Sequence, residues 1–195
     1  MSEPRYADGG PAESVVLVDE SDVAIGTADK LEAHRSGMLH RAFSVVVVSP
    51  WGELLLQQRA MTKYHSAGLW SNACCGHPRP GEDTLAAAHR RLREEMGIEC
   101  ALTPCGALTY RAQLAGSIVE HEYDHVFIGL FNGEPGPDPD EVMSWRWSGA
   151  RSVLLSVSAE PDRYTAWLPL VLPKALRRVS RSNGAFRSRI RDAGA

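Results

Sequence analysis

Cysteine, net charge and long apolar stretches are all scarce in this sequence of 195 residues. The four cysteines show neither zinc-ligand spacing nor the density of a disulfide-stabilised scaffold, so we expect reduced thiols in a cytoplasmic protein. A net charge of -3 gives no general reason to expect nucleic-acid or membrane binding. The longest apolar runs, at residues 44–48 and 166–172, are far shorter than the roughly 20 residues of a transmembrane helix.

The two ends of the sequence also lack the features of a targeting segment or a second domain. The N-terminus is polar and mixed in charge, without an apolar stretch after a basic start, so it does not resemble a secretory signal. Residues 1–13, rich in Gly, Pro and Ala, predict a flexible leader. No break in composition separates two cores, so we predict one domain over residues 14–180. Residues 181–195 predict a disordered basic tail, whose charge is more typical of a solvated surface than of a nucleic-acid site.

Apolar alternation and turn residues predict the order of the secondary-structure elements. The clearest element is a helix over residues 82–96 that has charged and apolar faces and ends at Gly97. Helical turns are expected at residues 30–34, and further helices are expected from residue 150 onward. Strands are predicted over residues 14–19, 23–28, 42–48, 53–59, 71–76, 107–113, 118–131 and 141–147. This order indicates an α+β fold with helices packed on both sides of a sheet.

A glycine loop followed by an acidic helix carries the first chemical signal. Gly76, Glu82, the run of residues 90–95 (RRLREE) and Gly97 have the spacing of a pattern that resembles the Nudix box. The glutamates of that box hold a divalent ion against a diphosphate. Where a Nudix hydrolase has a glutamate after the arginine of the box, this chain has Arg91. Loss of that acid argues against hydrolysis, whereas a guanidinium can still pair with diphosphate oxygens.

Histidines and two alternating glutamates form a second candidate site. Residues two apart in a strand share a face, so Glu120 and Glu122 can reach one ion, whereas His121 should point away. Mixed nitrogen and oxygen ligands suit manganese, magnesium, iron or zinc better than a thiolate-selected metal. Taken singly, a histidine is more often a surface or core residue than a ligand. Spacing alone therefore does not assemble the whole candidate set, which is His34, His40, His77, Glu120 and Glu122.

Two adjacent cysteines precede the pair formed by Gly76 and His77. Neighbouring side chains on a strand face opposite ways. We interpret Cys74 as a small apolar core residue and Cys75 as a thiol beside the candidate metal site.

Residues 72–78 (NACCGHP), the modified box, Tyr110 and the sequence Glu120-His121-Glu122 together resemble the type I isopentenyl diphosphate isomerases. The resemblance extends over residues 15–167. It implies a Nudix-like α/β/α sandwich with a mixed sheet, and interconversion of isopentenyl and dimethylallyl diphosphate in isoprenoid biosynthesis by alkene protonation and allylic deprotonation. A Nudix hydrolase of a nucleoside diphosphate derivative and a non-catalytic diphosphate-binding module are the alternative interpretations.

The resemblance also implies roles for individual residues. It assigns catalysis to Cys75, Glu122 and Tyr110, and substrate binding to Lys30, Arg59, Lys63, Arg91 and Trp167. It assigns one ion, Mn²⁺ or Mg²⁺ with Zn²⁺ or Fe²⁺ as further candidates, to the ligands His34, His40, His77, Glu120 and Glu122. Glu95 is implied to hold a Mg²⁺ together with the substrate diphosphate. We expect the small-molecule substrate as partner, no nucleic acid, no membrane, and a monomer or weak homodimer.

Overall fold

The computed structural model describes residues 13–181. Except for residues 13 and 181, the predicted leader and basic tail lie outside this part of the chain. The strands are β1 Ser14–Val18, β2 Ala24–Asp29, β3 His40–Val48, β4 Glu53–Arg59, β5 Trp70–Ser71, β6 Cys74–Gly76, β7 Leu102–Gln113, β8 Val119–Leu130 and β9 Val142–Gly149. The helices are α1 Lys30–Ser36, α2 Thr84–Met96, α3 Ala150–Ala159 and α4 Leu168–Arg181, with a 3-10 turn at Pro161–Arg163. None of these helices is both long and apolar enough to cross a bilayer.

A mixed sheet organises the fold, with β3 at its centre. β3 pairs in parallel with β8 along its whole length, from His40 opposite Glu122 to Val48 opposite Leu130. It pairs antiparallel with β1, β4 and β6, while β7 extends the sheet beyond β8 and β9 extends it beyond β4. Such a central strand is covered on both faces, which explains why residues 42–48 are apolar at almost every position.

Side chains of β3 alternate between two hydrophobic cores. Phe43, Val45 and Val47 pack against the buried face of α2, formed by Ala87, Ala88, Leu92 and Met96. Val46 and Val48 belong to the core on the opposite face, together with Val153 and Val157 of α3 and Leu168, Val171, Leu172 and Ala175 of α4. Helices therefore cover both faces of the sheet. The predicted α+β class and α/β/α sandwich with a mixed sheet are confirmed.

Helix α2 begins two residues later than predicted because Asp83 is its N-cap. The Asp83 carboxylate accepts a hydrogen bond of 2.9 Å from the backbone N–H of Ala86. The helix ends as predicted at Gly97, which is left-handed with φ 63°. A Cβ at this position would lie 2.6 Å from the carbonyl oxygen of Gly136, so only glycine fits.

Two strand predictions were wrong in detail. The strand expected at residues 71–76 is split, since β5 pairs with β4 whereas β6 pairs with β3. Between them, the Asn72 side-chain amide donates to the backbone carbonyls of Val45 and Cys74. Strand β7 begins five residues before the predicted start, because an irregularity in the pairing between Pro104 and Ala107 interrupts its pattern.

Candidate active site

A cleft of about 650 Å³ brings the predicted catalytic and substrate-binding residues together. All eight line it: Cys75, Tyr110 and Glu122, and Lys30, Arg59, Lys63, Arg91 and Trp167. Three of the predicted metal ligands, His77, Glu95 and Glu120, line it as well. The remaining two, His34 and His40, are fully buried and approach these ligands from the interior of the protein.

Strand register explains why residues so distant in sequence meet here. Glu122 on β8 lies opposite His40 on β3 and opposite Tyr110 on β7. Cys75 on β6 lies opposite Ser44 on β3. Because β3 pairs with both β6 and β8, the thiol and the carboxylate come from strands on opposite sides of it.

Three ring and carboxylate atoms converge at the buried end of the cleft. The Nε2 atom of His77 is 2.9 Å from Oε1 of Glu122 and 3.2 Å from Nε2 of His40. His40 Nε2 and Glu122 Oε1 are 3.7 Å apart. With a nitrogen of His34, these ligand atoms all lie within 4.8 Å of one another, which is close enough to share one ion. Two ligand atoms that each lie about 2.1 Å from one metal ion, with a right angle between the two bonds, are about 3 Å apart.

Hydrogen bonds fix the orientation of the two buried imidazoles. His34 Nδ1 lies 2.6 Å from the Lys30 carbonyl oxygen, and His40 Nδ1 lies 2.8 Å from that of Met38. A carbonyl oxygen only accepts, so each Nδ1 carries a proton and each ring turns its Nε2 atom towards the cluster. Burial lowers the pKa of His34, and lowers the pKa of His77 to about 3. Neutral imidazoles are the form that binds metal ions.

Glu120 belongs to a second, overlapping group with His34 and His65. Its Oε2 atom is 3.5 Å from His34 Nε2 and has no hydrogen-bond partner among the described residues, although it is buried. If Glu120 is ionised, two acceptor atoms face each other in a buried place, which is unfavourable unless a cation lies between them. The residues therefore fit a metal ion. The five predicted ligands lie close together, but not as a single compact set, and the second group includes His65, which was not among them.

The carboxylates of β8 differ in protonation. Burial favours a raised pKa for Glu122, but the neighbouring imidazoles of His40 and His77 outweigh it and hold the pKa well below the ordinary value. Burial and the charge of Glu122 raise the pKa of Glu120 well above its ordinary value. Without a metal ion, the negative charge of this pair is therefore concentrated on Glu122.

Cys74 and Cys75 face opposite sides of the sheet, as the sequence predicted. Cys74 is packed in the core beneath α2, whereas Cys75 lines the cleft. Arg59 Nη1 lies 3.9 Å from the Cys75 sulfur, but burial dominates and raises the pKa of this thiol to about 12. The Cys75 side chain is consequently a neutral thiol at neutral pH.

Trp167 is fixed in the wall of the cleft by Asn72. The indole N–H donates to the Asn72 side-chain oxygen at 3.2 Å. The Arg59 guanidinium carbon lies 5.5 Å from the centre of the indole ring. The ring is thus positioned and already interacts with a cation.

Each of the three box glutamates, Glu82, Glu94 and Glu95, accepts a hydrogen bond from an arginine of α2. Glu82 accepts hydrogen bonds from Arg90, and Glu94 accepts from Arg90 and Arg91. Of the three, only Glu95 lines the cleft; it is buried and accepts from Gln57 at 3.0 Å and from Arg91 at 2.7 Å. This position is consistent with the predicted Mg²⁺ ligand.

A carboxylate that sequence reasoning missed holds two of the predicted substrate-binding cations. Glu141 accepts from Arg91 at 2.9 Å and also pairs with Lys63. The third cation, Lys30, pairs with Glu13 at 2.7 Å. Each of these three cations is therefore already paired with a carboxylate of the protein.

Asp124 continues the alternation of Glu120 and Glu122 along β8 and is buried. Its Oδ2 atom accepts a hydrogen bond of 2.8 Å from the Ser44 hydroxyl. Burial and the charge of Glu122 raise the pKa of Asp124.

Tyr64 and His65 line the cleft but lie in a loop, where no periodic pattern distinguishes a site residue from a surface residue.

Known proteins resemble this chain at both the sequence and the fold level. Residues 38–168 match the family model of the NUDIX domain. The isopentenyl-diphosphate Delta-isomerase of Serratia proteamaculans is 48% identical over 82% of this chain and 89% of its own length. Isopentenyl-diphosphate Delta-isomerase 2 of Photorhabdus laumondii is 51% identical over 82% of this chain and 90% of its own length.

Among solved structures, a Deinococcus radiodurans protein superposes with a TM-score of 0.68 at 18% identity, over 84% of this chain and 99% of that chain. The MutT protein of Methanosarcina mazei superposes with a TM-score of 0.58 at 19% identity, over 74% of this chain and 95% of that chain. At such low identity these two structures are informative about the fold alone.

Proposed function

Because the chain belongs to the Nudix family and, within it, to the isopentenyl-diphosphate Delta-isomerases, we propose that it interconverts isopentenyl and dimethylallyl diphosphate in isoprenoid biosynthesis. The reaction adds a proton to the terminal alkene carbon and removes one from the allylic carbon, through a tertiary state with cationic character. It requires two positioned acid-base groups in one cleft. The observation that carries the proposal is the presence of the Cys75 thiol, the Glu122 carboxylate and the Tyr110 hydroxyl in the same cleft.

Cys75 and Glu122 are the proposed proton-transfer groups, one on each side of the five-carbon unit. The neutral thiol of Cys75 can give a proton to the alkene, and the ionised Glu122 can accept one from the allylic carbon. The Tyr110 hydroxyl donates to Glu122 Oε2 at 2.7 Å, which orients the carboxylate and provides a further exchangeable proton. Because the reaction is reversible, each group serves as acid in one direction and as base in the other.

Trp167 is proposed to stabilise the cationic state. An aromatic face attracts a positive charge by about 2 kcal/mol or more in a desolvated site. Trp167 and Tyr110 are both buried in the wall of the cleft. Exclusion of water matters because water would trap the cation as an alcohol.

The diphosphate is proposed to bind among four cations of the cleft, Lys30, Arg59, Lys63 and Arg91. The Arg59 Nε atom is buried and has no hydrogen-bond partner among the described residues, so this guanidinium retains a free donor. Arg91 and Lys63 would exchange their contacts with Glu141 for contacts with diphosphate oxygens. Glu95 is the proposed ligand of a Mg²⁺ ion, which when bound neutralises part of the diphosphate charge.

One divalent ion is proposed for the histidine and glutamate group. Its ligands are drawn from His34, His40, His77, Glu120 and Glu122, and the ion is Mn²⁺ or Mg²⁺, with Zn²⁺ or Fe²⁺ as further candidates. When bound, the ion supplies positive charge that adjusts the acidity of Glu122. The residues themselves hold Glu122 in place between the imidazoles and Tyr110.

Arg91 distinguishes this proposal from hydrolysis of a nucleoside diphosphate derivative. A Nudix hydrolase carries a carboxylate at that place in the box, whereas here a guanidinium bridges Glu95 and Glu141. The proposed partner is thus the small-molecule diphosphate. The cytoplasmic location and the monomer or weak homodimer remain predictions.

Turnover in D₂O with Mg²⁺ and isopentenyl diphosphate tests the proposed proton transfer. If an exchangeable acid protonates the terminal carbon, the dimethylallyl diphosphate formed carries deuterium in a methyl group, detectable by NMR and mass spectrometry. Product formed without deuterium, or no product, would contradict the proposal.

A further inference from the structure

The His65 ring faces the metal-ligand cluster from the loop between β4 and β5. Its Nε2 atom lies 3.3 Å from Oε1 of Glu120, and its side chain is only 8% exposed. The ring stacks on that of His34, with centroids 5.8 Å apart and planes inclined by 29°. On its far side, His65 Nδ1 lies 3.3 Å from the Ser66 hydroxyl. An outward nitrogen held by a hydrogen bond is typical of a histidine that binds metal through the other nitrogen.

Glu120 has one oxygen turned to each of two histidines. Oε1 faces His65, and Oε2 faces the Nε2 lone pair of His34 at 3.5 Å without a hydrogen-bond partner among the described residues. The Tyr64 hydroxyl, 3.3 Å from the same His34 nitrogen, can satisfy that lone pair but leaves Oε2 of Glu120 unpaired. One ligand atom each from His34, His65 and Glu120 lie within 4.8 Å of one another.

We propose that His65 is a fourth imidazole ligand of the proposed metal centre and binds alongside His34 and Glu120. His34 directs a single lone pair into the cluster, so it can bind only one ion at a time. The two overlapping groups therefore cannot each hold an ion at the same time, and we assign both to one centre. The inference rests on the proposed metal site but not on the proposed isomerisation.

A fourth imidazole has two consequences. It shifts the preference of the centre from Mg²⁺ towards ions that favour nitrogen, such as Co²⁺, Zn²⁺ and Fe²⁺. His65 lies in the loop two residues after Lys63. Binding of His65 to the metal ion therefore helps to position Lys63, a cation proposed to bind the diphosphate.

Cobalt substitution tests the ligand set without relying on activity. In proton NMR of the Co²⁺ protein, each imidazole bound through Nε2 gives one strongly shifted N–H signal that disappears in D₂O. The wild-type protein should show four such signals. His65→Gln removes the imidazole but keeps an amide that can donate to Glu120, so it separates a ligand from a hydrogen-bond partner. We expect three signals and Co²⁺ affinity at least about tenfold weaker.

His125→Gln is the matched control, because His125 pairs with Asp22 at 2.8 Å and lies on the opposite face of β8 from Glu120. It should retain four signals and the wild-type affinity. Three signals in the wild-type protein, or unchanged Co²⁺ binding in His65→Gln, would overturn the role of His65 while leaving the metal site intact. Absence of Co²⁺ binding by the wild-type protein would overturn the metal site itself. The wild-type spectrum decides the question even if a variant fails to fold.

Discussion

Glu122 uses its two oxygens for different neighbours. Oε1 faces the imidazoles of His77 and His40, whereas Oε2 accepts a hydrogen bond from Tyr110. One carboxylate can thus bind a metal ion and exchange a proton at the same time. This division also explains why strand register matters, since both His40 and Tyr110 lie opposite Glu122 in neighbouring strands.

Glu122→Gln should impair metal retention and catalysis together. The amide keeps the size of the side chain but removes both the anionic ligand and the base. We expect turnover to fall by about 10²- to 10⁴-fold, the usual contribution of a general acid-base group. Metal content and initial rates measure the two effects. Glu99→Gln, at an exposed position, is the control, and full metal occupancy with full activity in Glu122→Gln would remove Glu122 from the site.

Cys75→Ala should abolish isomerisation while leaving metal content and fold unchanged. The thiol lines the cleft but belongs to neither group of candidate metal ligands. We expect a loss of turnover of at least about 10²-fold. Cys105→Ala removes a half-buried thiol outside the cleft lining and should retain activity. Near-normal turnover of purified Cys75→Ala would refute its role.

At the scale of elements, Glu141 joins three parts of the chain. It lies just before β9 and pairs with Arg91 of α2 and with Lys63 of the loop that follows β4. Burial favours a raised pKa for Glu141, but Lys63 and Arg91 outweigh it and lower the pKa to about 2. The network holds two cations in the lining of the cleft and makes the stability of the fold depend on pH.

Glu141→Gln should reduce stability at neutral pH and much less in acid. Because the folded-state pKa is depressed, the contribution is full above the ordinary glutamate pKa of 4.5 and is lost as pH falls towards about 2. A shift of this size corresponds to about 3 kcal/mol, which we reduce to about 2 kcal/mol for partial exposure. Urea unfolding at pH 7 and pH 2.5 measures the difference from wild type. Glu134→Gln is the exposed control, and a difference independent of pH would contradict the account.

Elements with a clear local pattern were predictable from the sequence. Alternation along β8 predicted that Glu120 and Glu122 share a face, and the start of α2 was displaced only by its Asp83 cap. Strand β7 was shortened in the prediction because the irregular pairing after Pro104 hides its alternation. His65 could not be predicted, since a loop residue acquires its neighbours only through tertiary packing.

At the scale of the whole molecule, all three layers of the sandwich contribute to the cleft. Helix α2 provides Arg91 and Glu95, the sheet provides Cys75 and Glu122, and Trp167 immediately precedes α4. The box helix therefore supplies groups suited to Mg²⁺ and diphosphate, while the proposed proton-transfer groups come from the sheet. This division of roles explains how a Nudix architecture can support a reaction other than hydrolysis.

Incubation of the purified protein with isopentenyl diphosphate and Mg²⁺ tests this account most directly. The products are dimethylallyl diphosphate, measured by NMR, and inorganic phosphate or pyrophosphate, measured colorimetrically. We expect dimethylallyl diphosphate without release of phosphate or pyrophosphate. Release of either anion without isomerisation, or neither reaction, would contradict the proposed isomerase function.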